Sequence, residues 1–137
     1  RNVFFNYSAE RFRLMGYMLY VKLEYFSEYH ASLMTLTREE QKRFSHKKGD
    51  TEGFVNIPLQ IGKSRLSVFL REDTERHNIR VSLRSVDDFP CNRMAAEFFN
   101  GGGHLNASGG ELSCTMDEAV QIVRKALKKY ASLLTDR

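Results

Sequence analysis

The residues with the most chemical promise lie in one stretch, Asn100-Gly101-Gly102-Gly103-His104-Leu105-Asn106-Ala107-Ser108-Gly109-Gly110. Ordering three consecutive glycines is costly, because glycine loses more backbone freedom on folding than any other residue. Such a run makes sense where backbone must approach a ligand closely or adopt positive φ. Successive N–H groups of a glycine loop can form a concave anion site, with the His104 ring as a further donor at its edge. The same residues also read as a flexible turn with an exposed histidine. Arg84 is the second candidate. Ile79, Val81 and Leu83 alternate with Arg80, Ser82 and Arg84, so one strand face goes to the core and the other carries two arginines. A guanidinium fork matches phosphate oxygens. A solvated arginine, or one paired with Asp87 or Asp88, fits the same pattern.

A complete hydrolytic centre is not visible. The adjacent acids Asp87-Asp88 and Glu39-Glu40 are neighbours that rarely face one point, and no Asp-x-Asp, Asp-His-His or His-x-x-x-His spacing occurs. Cys91, Cys114 and His104 have no usual zinc spacing, and there is no Gly-x-Ser-x-Gly elbow.

The elements that must position these residues follow from periodicity and capping signals. A helix is expected over Ser8–Phe26, with Ser8 as N-cap and Phe12, Met15, Leu19, Leu23 and Phe26 as its apolar stripe. A strand is expected over Ala31–Leu36. The capping box Thr37-Arg38-Glu39-Glu40 should then open a short helix to about Ser45. Asp50 is a candidate cap for another short helix over Glu52–Gln60. Ser64–Arg71 and Asn78–Ser85 read as an antiparallel hairpin. Asp88 should cap a helix with Pro90 in its first turn, reaching about Phe99. After the glycine stretch, Glu111–Cys114 is extended. Thr115-Met116-Asp117-Glu118 opens the last helix, which buries Ala119, Val123, Ala126, Leu127 and Tyr130. Tyr7, Tyr25, Phe26 and Tyr29 read as core aromatics rather than a stacking platform. The expected class is α+β: a mixed or antiparallel sheet flanked by helices.

A chain of 137 residues suits one domain with its own core. No apolar run approaches the ~20 residues of a membrane helix. The net charge of +4 is spread along the chain and permits an anionic ligand without requiring nucleic acid. Cys91 and Cys114 read as free thiols of a cytoplasmic protein, with a disulfide left open. Arg1 through Tyr7, with Phe4-Phe5 and no Met, reads as the interior of a longer chain.

Beyond this, the chain resembles a family. Gly101 to Gly110 resembles the Gly-Gly-Gly-His-x-x-Ala-(Ala or Ser)-Gly signature of the DHH-associated domain, the C-terminal substrate-binding domain of the Asp-His-His phosphoesterases. Ser82-Leu83-Arg84-Ser85 resembles that family's Ser-x-Arg-Ser motif, and Asp88-Phe89-Pro90-Cys91-Asn92 its following helix start. Gly49-Asp50-Thr51-Glu52-Gly53-Phe54-Val55-Asn56 and Ser8 to Gly16 are similar to the branch containing nanoRNases and 3′-phosphoadenosine-5′-phosphate phosphatases, often called exopolyphosphatase-related. Position 108 is Ser where Ala is commoner.

The resemblance implies residues 1–27 as a linker and helix leading from a catalytic domain, and 28–137 as the substrate-binding domain. It implies two manganese ions held by Asp and His ligands of that N-terminal domain, as partner in cis, with hydrolysis there. Arg84, His104 and Gly101, Gly102 and Gly103 would bind substrate phosphate, with Ser85 and Asn106 as lesser contributors. Glu52 and Asn56 would orient the loop or line the cleft. The implied partners are a short RNA or nucleotide substrate and a second copy in a homodimer. Alternatives are a single-stranded DNA or cyclic-dinucleotide substrate, the RNA-assisting role such domains have in alanyl-tRNA synthetases, and a plain dimerisation domain.

Overall fold

The computed structural model describes residues 7–47 and 49–136, and in it the alternating segment is strand β4 (Ile79–Ser85). Ile79, Val81 and Leu83 are buried, while Arg80 is exposed. Among the described residues the sheet has six strands, in the order β1 (Glu24–Phe26), β2 (Ala31–Leu36), β3 (Leu66–Glu72), β4, β6 (Ala107–Leu112), β5 (Gly102–His104). Neighbours are antiparallel except β2 and β3, which run parallel. A parallel pair needs a long crossover. Here it contains α2 (Arg38–Arg43) and a 3-10 helix, Phe54–Gln60. The fold is α+β with a mixed sheet.

One face of the sheet is closed by α3 (Cys91–Phe98), α4 (Met116–Lys129) and α5 (Ala131–Thr135). Leu66, Val68, Leu70, Val81 and Leu83 meet Met94, Ala119, Val123, Ala126 and Leu127 there. Burial of each of the larger side chains here contributes about 1.5–3 kcal/mol. Helix α4 follows its sequence: Thr115 and Glu118 form the reciprocal capping box, and Asp117 and Glu118 sit against the positive end of the helix. The opposite face is covered over β2 and β3, where Leu14, Met18, Phe54 and Val55 pack on Met34, Leu36 and Phe69.

Four expectations are corrected. The helix expected to Phe26 stops early: α1 (Ala9–Tyr17) passes into a π-helical turn at Met18–Lys22, and Glu24–Phe26 joins the sheet. Its buried side is Arg11, Leu14 and Met18, whereas Phe12 is 57% exposed. The four-residue spacing was carried on by residues that belong to a different element. Glu24–Phe26 is thus the edge strand next to β2. The Tyr17 hydroxyl and the Lys22 ammonium, the latter at 2.7 Å, both donate to Glu40 and tie this segment to α2. Burial alone would raise the Glu40 pKa, but these donors and the Thr37 N–H hold it below the usual carboxylate value.

Asp50 caps no helix; its carboxylate accepts from the Lys47 N–H, and the 3-10 helix begins after Gly53, whose φ of 85° suits glycine. Asp88 does not cap α3 either. It pairs with the buried Arg65 at 2.5 Å, and the Cys91 N–H donates instead to the Leu105 carbonyl at 2.9 Å. Tyr7, expected in the core, is half exposed beneath the Arg11 guanidinium. The Phe4-Phe5 pair lies outside the described residues. Both cysteines are free thiols.

Candidate functional site

Where the sequence reads as a loop, the chain forms a hairpin. Gly102, Gly103 and His104 pair with Gly109, Ser108 and Ala107 respectively. Glycine has no side chain to display the two-residue period by which a strand is recognised, so this strand left no pattern. The three glycines do not form a string of left-handed residues; of them Gly103 alone has positive φ.

Sterics separate the glycines. A Cβ on Gly101 would lie 1.8 Å from the Gly109 carbonyl oxygen, one on Gly103 2.7 Å from that of Ala107, and one on Gly110 2.0 Å from that of Phe99. Those positions are glycine because the backbones nearly touch. Gly102 differs, since a Cβ there meets nothing within 4 Å. Packing does not require glycine at 102, yet a larger residue would project into open space over the sheet.

That open space is the uncovered part of the sheet face. Residues paired across strands share a face, and the registers define three rows there. The first runs Ser67, Arg84, Ala107, His104. The second runs Phe69, Ser82, Gly109, Gly102. The third runs Arg71, Arg80, Glu111. Small residues in the middle row make a hollow floor between charged rims. The 3-10 crossover adds a wall, Thr51, Glu52, Gly53 and Val55, and the resulting open cleft holds about 690 Å³, within the range of small-ligand sites. Arg11 steadies the wall by donating from Nη1 to the Asp50 carbonyl at 2.7 Å.

Of the seven sequence candidates, Arg84 and Gly102 line the cavity. One Arg84 nitrogen donates to the Leu83 carbonyl at 2.9 Å, leaving the rest of the fork for a ligand. His104 is exposed at the end of the Arg84 row, and its ring hydrogen-bonds to none of the described residues. Ser85 and Asn106 are brought together away from the floor. The buried Ser85 hydroxyl donates to the Phe89 carbonyl at 2.8 Å and accepts from Asn106 Nδ2 at 2.9 Å. Asn106 also donates to the Asp87 carbonyl, at 3.2 Å. These bonds pin the hairpin tip to the end of β4. Gly101 and Gly103 serve the close backbone approach. Glu52 is on the wall, and Asn56 is exposed outside it.

Sequence reading missed Arg71. It is partly buried in the cavity and stands directly opposite Arg80. Burial holds its pKa below the ordinary value; Asp73 opposes and Arg80 adds to this. Register across the hairpin was the available signal, because the turn at 73–78 brings Arg71 opposite Arg80. Among the described residues, no group of three or more His, Cys, Asp or Glu side chains could hold a metal ion. The described residues therefore do not fit manganese. No helix among the described residues is long and apolar enough to cross a membrane.

Residues 30–132 match the DHHA1 domain. The chain is also 58% identical to an exopolyphosphatase-related protein from Bacteroides fragilis, over 96% of its own length and with a TM-score of 0.91. The chain belongs to the DHHA1 family. This DHHA1 domain is thus of the kind found in DHH-family phosphoesterases, and it spans 38% of the Bacteroides protein. A pGpG-specific phosphodiesterase from Vibrio cholerae shares the fold, with 14% identity and a TM-score of 0.62 over 88% of this chain and 39% of that one. So does the C-Ala domain of Aquifex aeolicus alanyl-tRNA synthetase, with 12% identity and a TM-score of 0.52, over 78% of this chain and 98% of that one. No curated protein matches the chain.

Proposed function

We propose that this DHHA1 domain is the substrate-holding half of a manganese-dependent phosphoesterase acting on short oligoribonucleotides or 3′-phosphoadenosine-5′-phosphate. The metal ions and the hydrolysis belong to a second domain of the parent protein, and the domain described here binds without cleaving. The observation that carries this reading is Gly102. It is a glycine with no packing need, on the floor of a cavity rimmed by Arg84. Its bareness keeps room for a ligand beside a guanidinium with free donors. The 58% identity with an exopolyphosphatase-related protein favours phosphate as the group bound.

On this reading Arg84 takes a substrate phosphate by charge-assisted hydrogen bonds, and His104 closes on it from the hairpin. By gripping the phosphate this domain supplies positioning and charge neutralisation, and sets the register of the neighbouring ester on the catalytic domain. The test is titration of the chain with AMP. Arg84→Ala should weaken binding by about tenfold or more, and His104→Ala by less. In a full-length parent, both changes should lower turnover while leaving metal content unchanged. Unaltered AMP affinity in Arg84→Ala, or loss of metal from the parent, would refute the assignment.

A further inference from the structure

We propose that Arg71 and Arg80 form a second phosphate subsite, about 14 Å along β4 from Arg84 at ~3.4 Å per residue, which takes a downstream phosphate of an oligonucleotide of three or more residues. The inference rests on the phosphate reading of Arg84 and names its substrate class: a linear chain of nucleotides rather than a mononucleotide.

Three observations carry it. First, Arg71 and Arg80 are direct cross-strand partners. Like charges in that relation are destabilising unless something of opposite sign joins them. Arg80 has an exposed ion pair with Glu111 at 3.2 Å, a contact of small worth in water. Arg71 makes no hydrogen bond or ion pair with a described residue, and Asp73 acts on it only through space. Second, Thr51, Arg71 and Arg80 line both the first cavity and a second one of about 1020 Å³. The two cavities therefore form one trough with these residues at the junction. The second cavity is also lined by Arg38, Lys42, His46 and Arg76, with Asp73 and Glu75 as its acids. Third, the His46 Nε2 atom is buried at this second cavity without a hydrogen-bond partner among the described residues. A buried polar atom left unpaired is costly, and a phosphate oxygen or its bridging water would supply the partner.

The spacing decides the ligand. A single phosphate cannot reach both the Arg84 row and the Arg71–Arg80 row, whereas a backbone of three nucleotides can.

The experiment is calorimetric titration of the chain with AMP, diadenylate and triadenylate at several salt concentrations. Triadenylate should bind more tightly than AMP. Arg71→Gln should remove about tenfold of that gain, a larger loss than it causes for AMP. The salt slope for triadenylate should fall by about 0.7 for the lost phosphate contact. Arg80→Gln, at an exposed position, should act in the same direction and guards against a folding defect in Arg71→Gln. Triadenylate binding no tighter than AMP, or a length dependence and salt slope intact in both variants, would overturn the subsite. The two readings fail separately. Arg84→Ala lowers AMP affinity first, whereas Arg71→Gln and Arg80→Gln lower chiefly the gain that length adds.

Discussion

The two faces of the sheet are built from the same strands by opposite rules. On the helix-covered face, Ile79, Val81 and Leu83 of β4 are all but inaccessible, and their neighbours on β3 and α4 are apolar. On the other face the same strand carries Arg80, Ser82 and Arg84 over a floor of Gly102, Ala107 and Gly109. The first face gains stability by filling space. The second leaves space empty and sets like charges opposite each other, which a fold alone would not favour. A region that breaks the packing rule while its neighbour obeys it is where a ligand reading is warranted.

The contrast can be broken at graded points. The largest effect is expected from Gly110→Ala, whose methyl would collide with the Phe99 carbonyl oxygen. Because both sides of the clash are backbone, urea denaturation should show a loss of about 3 kcal/mol or more. Leu83→Ala empties the covered face and should cost about 2–5 kcal/mol, with AMP affinity retained in the protein that stays folded. Gly102→Ala should change stability by less than about 0.5 kcal/mol and still weaken AMP binding. If Gly102→Ala unfolded the protein, the distinction drawn between the glycines would be wrong.

The smallest effect concerns His46. Burial first, then the Arg71 charge, hold its imidazole pKa below the ordinary value, with Asp50 opposing. The unfolded chain therefore binds the proton first as pH falls through about 6.5, and folded stability declines with it. Thermal melts between pH 7.5 and 5.5 should show a small fall in Tm, absent in His46→Gln.

How much of this was legible depended on whether the signal was local. Helix α4 could be read because Thr115 and Glu118 cap it within four residues and its apolar period is strong. The β3–β4 hairpin could be read because Ile79–Ser85 alternates without a break. The end of α1 could not, since Leu19, Leu23 and Phe26 keep a helical spacing while the chain turns into a strand. Strand β5 could not, since glycine erases alternation. In the site, Arg84 was visible from its own strand. Arg71 was hidden because its importance comes from the residue it faces, 9 positions further along the chain. Ser85 and Asn106 were read as lesser phosphate contacts, while their bonds to each other and to nearby carbonyls were beyond a linear reading.

The parallel pairing of β2 and β3 separates authorship of the cleft between two stretches of chain. Its floor comes from tightly registered hairpins, where an inserted residue would flip a whole strand. Its wall comes from the long crossover that parallel strands oblige, and such a connection tolerates changes in length and composition. Homologues could thus reshape the wall by rewriting residues 49–56 alone, leaving the Arg84 rim in place.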